Sequence, residues 1–139
     1  MVKKKKVLAY IFRNNSGVKE LLVFNHRAYP EVSPQVPAGT VEVGESPELA
    51  ILREVYEESG LTLQKPSFYI GEYDYYREDI NEYQSRHVYA FEVDGLADKW
   101  EHIVSDGEED KGMVFDYFWL PVEEARVNLV GNMGDYLPR

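Results

Sequence analysis

The chain has 139 residues, of which 44% are hydrophobic, and a formal net charge of −10. This length fits one core of ordinary size, so we expect residues 1–139 to form a single domain. The negative charge repels a phosphate backbone at long range, which disfavours duplex nucleic acid as a partner. There is no cysteine, which excludes disulfides and thiolate metal sites. No apolar run approaches the roughly 20 residues that span a bilayer, so we expect no membrane partner and a soluble, cytoplasmic protein.

The N-terminal part of the chain predicts a hairpin followed by a helix. Residues 6–13 and 19–25 are short runs rich in β-branched and aromatic side chains, and the Asn-Asn-Ser-Gly sequence between them favours a turn. The Ser-Pro-Glu sequence at 46–48 offers an N-cap, a proline at the first helical position and an acid in the first turn. Gly60 is typical of the residue after a helix, so we predict a helix over residues 47–59.

The second half predicts three more strands and a short helix. Residues 68–76 and 86–93 have strand composition and flank the polar loop 77–85, and residues 114–120 have the pattern of a last strand. The Pro-Val-Glu-Glu sequence at 121–124 predicts the start of a short helix. The alternation predicts a mixed α/β (α+β) fold, in which helices pack on the faces of a mixed sheet.

The predicted helix carries an acidic face opposite an apolar one. At about 100° per residue, Glu54, Glu57 and Glu58 fall within an arc of roughly 100°. Like charges at this spacing destabilise an isolated helix by roughly 0.2–0.5 kcal/mol per pair, and a divalent cation would reverse that sign. An oxygen-only ligand set suits Mg²⁺ or Mn²⁺ better than zinc. Arg53 lies beside this face, where it could pair with Glu45 in the preceding loop. The alternative is a solvated acidic face without a ligand.

The spacing of these residues resembles a known motif. Gly39, five residues, Glu45, seven residues and then the run Arg-Glu-Val-Tyr-Glu-Glu-Ser-Gly-Leu at 53–61 resemble the Nudix box of the Nudix hydrolase (MutT-like) family. Every defined position of the box is filled, so a chance match is remote. The resemblance implies the family's α/β/α sandwich with a mixed β-sheet.

The resemblance also implies roles for the residues of the box. Arg53, Glu54 and Glu57 are the expected catalytic residues. Glu54 is our choice of general base, although some members use an acid from a distant loop. The ion pair between Arg53 and Glu45 would hold the loop against the helix. The expected ligands of Mg²⁺ or Mn²⁺ are the carbonyl of Gly39 and the carboxylates of Glu54, Glu57 and Glu58.

Four residues outside the box are candidates for substrate binding. Arg27 follows the second strand, where members of the family often bind phosphate with an arginine, and an exposed loop arginine is the alternative. Tyr29 could stack on a base. Tyr75 lies near the position of a tyrosine in some dinucleoside-polyphosphate hydrolases of the family, and a core or cross-strand role is its alternative. Glu109, in the acidic loop 105–110, could supply an extra ligand or base or belong to a solvated turn.

The implied activity is hydrolysis of a diphosphate bond in a nucleoside diphosphate linked to another moiety, such as a nucleoside triphosphate or a dinucleoside polyphosphate. A non-catalytic nucleotide-sensing domain is the alternative, which the retention of every acid in the box disfavours. An RNA-cap hydrolase would share the chemistry, but the net charge of −10 disfavours it. The lysines at 3–6 could contact an anionic partner, although we favour a mobile, solvated tail. The sequence does not decide between a monomer and a homodimer.

Overall fold

The computed structural model describes residues 3–106 and 110–138. Within those ranges the chain forms seven β-strands and two α-helices, with short 3₁₀ turns at Glu78–Ile80 and Val130–Asn132. The strands are β1 (Lys4–Asn15), β2 (Val18–His26), β3 (Ala38–Thr40), β4 (Phe68–Arg77), β5 (Glu82–Glu92), β6 (Trp100–Ile103) and β7 (Val114–Pro121). The helices are α1 (Pro47–Ser59) and α2 (Val122–Asn128). The predicted helix at 47–59 is therefore confirmed.

All the strands of the described part belong to one mixed sheet, in the order β4-β5-β1-β2-β7-β6. β1 pairs in parallel with β5, whereas the other pairs are antiparallel. On its second edge β1 has two partners, because its N-terminal half pairs with β3 and its C-terminal end pairs with β2. The predicted hairpin of the first two strands and the predicted mixed sheet are both confirmed.

The hydrophobic core has two layers, one on each face of the sheet. Along β1, side chains alternate between the faces, as the period of two in a strand requires. Val7, Ala9 and Ile11 pack with apolar residues of α1. Leu8 and Tyr10 pack with apolar residues of α2. A sheet covered by one helix on each face is the α/β/α sandwich expected from the sequence.

Both ends of α1 are fixed by local contacts. Ser46 is the N-cap, and its side-chain oxygen accepts a hydrogen bond from the backbone N–H of Leu49 at 3.2 Å. Gly60 ends the helix with a left-handed φ of 81°, and its N–H donates to the carbonyl of Tyr56. Residues other than glycine adopt this conformation with strain. Neither α1, with 13 residues, nor α2, with 7, is long and apolar enough to cross a membrane, and no other helix of the described residues is.

Three features of the sheet differ from the sequence prediction. β3 and β6 are strands of three and four residues that we did not predict, since such short segments show no alternation. β5 begins at Glu82 rather than at residue 86, so half of the predicted polar loop is strand. β1 begins at Lys4, and Lys6 pairs with both Thr40 and Arg86. The expected mobile tail at 3–6 was wrong for residues 4–6, because two neighbouring strands bind this segment.

Candidate active site

A cleft of about 630 Å³ opens beside the N-terminal half of β1 and the whole of β3. Acidic side chains of α1 line one part of it, and strands β1, β4 and β5 contribute cations to another part. The acids of α1 are Glu54, Glu57 and Glu58, and the cations are Lys4, Lys6, Arg77 and Arg86. The cleft thus combines opposite charges within one concave surface.

The short strand β3 lies directly against the acids of α1. Its Ala38 N–H donates to Oε1 of Glu58 at 3.2 Å, and the carbonyl of Thr40 accepts from Nη2 of Arg53 at 3.0 Å. Between them, Gly39 approaches Glu54 so closely that a Cβ on residue 39 would lie 2.0 Å from Cδ of Glu54. A larger residue at position 39 would therefore displace the carboxylate of Glu54. The predicted neighbours Gly39, Glu54 and Glu58 are brought together.

Arg53 connects the loop before α1 with the acids of the helix. Its Nε and Nη2 donate to the two carboxylate oxygens of Glu45 at 2.7 and 2.9 Å, which is a bidentate ion pair. Its Nη1 donates to Glu54 at 2.8 Å and to Glu57 at 3.0 Å. The contact between Glu45 and Arg53 is the one expected from the sequence, and the same guanidinium also orients two of the acids of the cleft.

Burial and charge shift the pKa values of these acids in different directions. Burial raises the pKa of Glu54 to about 7, although Arg53 opposes the shift. Glu58 is also buried, and loss of hydration together with the charge of Glu54 raises its pKa well above the ordinary range. Hydrogen bonds from Arg53 hold the pKa of Glu45 below its ordinary value. Because a nearby positive charge favours the ionised carboxylate, a cation bound here would oppose both upward pKa shifts.

The donor set fits a hard divalent cation. Glu57 and Glu58 are 7% and 8% exposed, and carboxylate and backbone oxygens are the ligands that Mg²⁺ and Mn²⁺ prefer. In the described ranges, no three acidic or histidine side chains already converge in the arrangement of a metal site. Arg53 lies between Glu54 and Glu57 instead. The chemistry of the site therefore suits a cation, while its side chains are arranged around an internal ion pair.

The structure does not bring two of the predicted substrate-binding residues to the cleft. Arg27 donates from Nε to Asp116 at 3.1 Å and also pairs with Glu101, and these two acids line a separate recess of about 230 Å³. Its charge is thus already compensated. Tyr29 is 48% exposed, and its ring contacts that of His26 at 4.7 Å between centroids, outside the lining of the cleft. The geometry gives neither prediction support.

The other two predicted residues have different outcomes. Tyr75 does not itself line the cleft, but its ring packs against the guanidinium of Arg86, which does, with Cζ 3.8 Å from the ring centroid. Glu109 lies outside the described residues. Its described neighbours Asp106 and Asp110, at the two ends of that loop segment, both line the cleft.

The sequence analysis did not single out Arg77, Gln84 or Arg86, and it favoured a solvated tail for the lysines at 3–6. Gln84 and Arg86 are polar residues two apart in β5, and Lys4 and Lys6 are two apart in β1. This spacing places each pair on one face of its strand. The polar alternation was the available signal, but the region before residue 86 had the composition of a loop.

Comparisons with known proteins identify the family of the chain. The NUDIX domain family matches residues 2–139, and the chain therefore belongs to the Nudix hydrolase family. Human diphosphoinositol polyphosphate phosphohydrolase 3-beta is 32% identical over 122 residues, which are 88% of this chain and 66% of that protein. RNA pyrophosphohydrolase from Photobacterium profundum is 31% identical over 109 residues, or 77% of this chain and 53% of that protein. The chain thus spans between half and two thirds of the length of these relatives.

Solved structures share the fold. A Caenorhabditis elegans Ap4A hydrolase in a binary complex superimposes with a TM-score of 0.69 at 20% identity, covering 96% of this chain and 91% of that one. The NUDIX domain of Shewanella oneidensis NrtR complexed with ADP ribose gives a TM-score of 0.68 at 16% identity, covering 95% and 82%. At these identities the likeness concerns the architecture of the sandwich.

Proposed function

We propose that this chain hydrolyses a diphosphate bond in a nucleotide-linked or otherwise polyphosphorylated small molecule, with Mg²⁺ or Mn²⁺ held by Glu54, Glu57 and Glu58 and by the carbonyl of Gly39. The observation that carries the proposal is the group of buried acids of α1 packed against β3 in a cleft that also presents cations. The relatives named as a diphosphoinositol polyphosphate phosphohydrolase and an RNA pyrophosphohydrolase support the same bond type.

The chain's own residues have distinct parts in this proposal. A bound divalent cation would neutralise phosphate oxygens and acidify water. In this proposal Glu54, which lies close to Gly39 and accepts a hydrogen bond from Arg53, takes the proton of the attacking water. Arg53 orients Glu54 and Glu57 and, through Glu45, holds the loop before α1 in place. The cations of the cleft, Lys4, Lys6, Arg77 and Arg86, attract the remaining phosphate groups of the substrate.

The test is chromatographic product analysis with Mg²⁺ or Mn²⁺ on nucleoside triphosphates, dinucleoside polyphosphates, nucleotide sugars, ADP-ribose and an inositol pyrophosphate. Glu57→Gln should lower turnover by about 10²-fold or more. Glu123→Gln, at an exposed acid in the first turn of α2, is the matched control and should leave turnover unchanged. A folded Glu57→Gln variant with wild-type, metal-dependent rate would contradict the proposal. Nucleotide binding by the wild type without any turnover would favour the sensing alternative.

A further inference from the structure

Arg86 is a buried cation that the hydrolytic role of the acids leaves unexplained. It lines the cleft from β5, yet it is only 6% exposed. A charge taken out of water is unfavourable unless an opposite charge or a full set of hydrogen bonds compensates it. All contacts of Arg86 with the described residues are to neutral groups. No ion pair within the described residues therefore compensates the charge of Arg86.

Three hydrogen bonds and one aromatic ring hold the guanidinium of Arg86 in place. Nε donates to Oε1 of Gln84 at 3.0 Å, and Nη1 donates to the carbonyl of Gly131 at 2.6 Å and to the hydroxyl of Tyr73 at 3.1 Å. The ring of Tyr75 covers one face at 3.8 Å. None of the hydrogen bonds found within the described part of the chain uses Nη2, which carries two N–H donors. The side chain is thus pre-organised with one donor group to spare.

Strand pairing fixes where the backbone of Arg86 lies relative to the strand that carries Gly39. Arg86 pairs with Lys6 of β1, and Lys6 pairs with Thr40 of β3. Adjacent strands are about 4.8 Å apart, so Arg86 lies roughly 10 Å along this row from Thr40, the residue after Gly39. Lys6 stands between them, and its ammonium donates to the hydroxyl of Thr40 at 2.7 Å. One row of residues therefore leads from the acids of α1 to Arg86.

The lining of the cleft favours recognition by charge. Among the described lining residues there is no aromatic ring on which a base could stack, and the apolar contribution comes from small aliphatic patches and Met133. Arginine binds phosphate oxygens through paired N–H donors. The group that best compensates the charge of Arg86 is therefore a phosphate at the end of this row opposite the acids.

We propose that Arg86 is a specificity-determining residue that binds a phosphate group other than the two joined by the bond that is cleaved. The inference rests on the proposed function, because the same cleft holds the substrate. It defines the substrate class as molecules with three or more phosphate groups, rather than nucleotide sugars with two. Tyr75 is then a positioning residue, which supports Arg86 without contacting the substrate.

The direct test is binding of inorganic tripolyphosphate, measured by isothermal titration calorimetry in EDTA at low ionic strength. Arg86→Gln should weaken binding by about tenfold or more, since a charge-assisted contact is lost. Arg13→Gln is the matched control, because Arg13 also stacks on an aromatic ring, that of Trp119 at 4.3 Å. Arg13 pairs with Glu20 and Asp98 and lies outside the cleft lining, so this variant should bind as the wild type does.

Three results would overturn the inference: no tripolyphosphate binding by the wild type, wild-type affinity in Arg86→Gln, or equal losses in both arginine variants. Circular dichroism establishes that each variant is folded. If Arg86→Gln does not fold, the ¹⁵N resonance of the Arg86 Nε–H in the wild type replaces it as the readout. That resonance should shift on titration with tripolyphosphate, and an unchanged resonance also overturns the inference.

Kinetics separate this inference from the proposed function. Arg86→Gln should raise KM for a substrate with three or more phosphates and leave KM for a nucleotide sugar nearly unchanged. Glu57→Gln should still bind tripolyphosphate in EDTA, because the variant removes a negative charge from the cleft and leaves Arg86 in place. Loss of turnover in Glu57→Gln with unaltered binding and KM in Arg86→Gln refutes the role of Arg86 alone. Arg86-dependent binding without any hydrolysis refutes the proposed function alone.

Discussion

Single residues at the contact between β3 and α1 determine whether the acids of the cleft are in place. The carboxylate of Glu54 occupies the space that a side chain at position 39 would need, because a Cβ there would lie 2.0 Å from Cδ of Glu54. The colliding atoms belong to the end of a flexible side chain. The fold can therefore accommodate a Cβ at position 39 if Glu54 moves. The site would then lose the carboxylate of Glu54 from its position.

Gly39→Ala should accordingly affect activity far more than stability. We expect turnover to fall towards that of Glu54→Ala, with a change in the free energy of unfolding of about 1 kcal/mol or less. Urea denaturation and steady-state kinetics measure the two effects. In a double-mutant cycle, adding Gly39→Ala to Glu54→Ala should cause little further loss, because both changes act on the same carboxylate. Additive losses would show that Gly39 acts in another way.

At the scale of elements, the sequence predicted what is encoded locally. Helix α1 has its cap at Ser46 and its left-handed end at Gly60, both of which are readable from residue type. The three-residue strand β3 was not predicted, because it is a strand only through its pairing with β1. The cationic part of the cleft was not predicted for the same reason. Lys6 and Arg86 become neighbours through the parallel pairing of β1 with β5, which no local pattern contains.

The link between the loop before α1 and the helix should make stability depend on pH. The folded-state pKa of Glu45 lies below the ordinary value of 4.5 because of Arg53. Its contribution is therefore present above about pH 4.5 and is lost as the pH falls through the folded-state pKa. Glu45→Gln should lower the free energy of unfolding at pH 7 by about 1.5–3 kcal/mol.

Urea denaturation of wild type and Glu45→Gln between pH 7 and pH 3 tests this dependence. The difference between the two proteins should narrow below pH 4.5. Glu48→Gln, at an exposed acid in the first turn of α1, is the control and should show a much smaller difference. A gap that stays constant down to pH 3 would refute the assigned role of the ion pair.

The whole molecule carries a net charge of −10, yet its cleft contains both an acidic and a cationic part. The overall charge disfavoured nucleic acid as a partner, but it did not show how charge is distributed locally. The two apolar layers hold the sandwich together without the acids of the cleft. Folding and metal binding should therefore be separable. The cytoplasmic location, the single domain and the homodimer stay predictions.

Removal of divalent cations with EDTA should abolish hydrolysis and leave the circular dichroism spectrum unchanged. Adding Mg²⁺ or Mn²⁺ back should restore activity and raise Tm as the ion concentration increases, because a ligand that binds only the folded state stabilises it. Differential scanning fluorimetry measures the shift. Glu58→Gln should reduce it, and Glu123→Gln should not. Full activity in EDTA, or loss of the fold there, would contradict this expectation.

The two parts of the cleft differ in how far apart their residues lie along the chain. Gly39, Arg53 and Glu58 belong to one continuous segment, so the contact of β3 with α1 closes a short loop. The Lys6–Arg86 pair joins strands from distant parts of the chain, and such non-local pairing is slow to form because long loops must close first. We expect the acidic half of the cleft to assemble early during folding and the cationic half late. An incompletely folded chain would then hold the acids together before it could discriminate among anions.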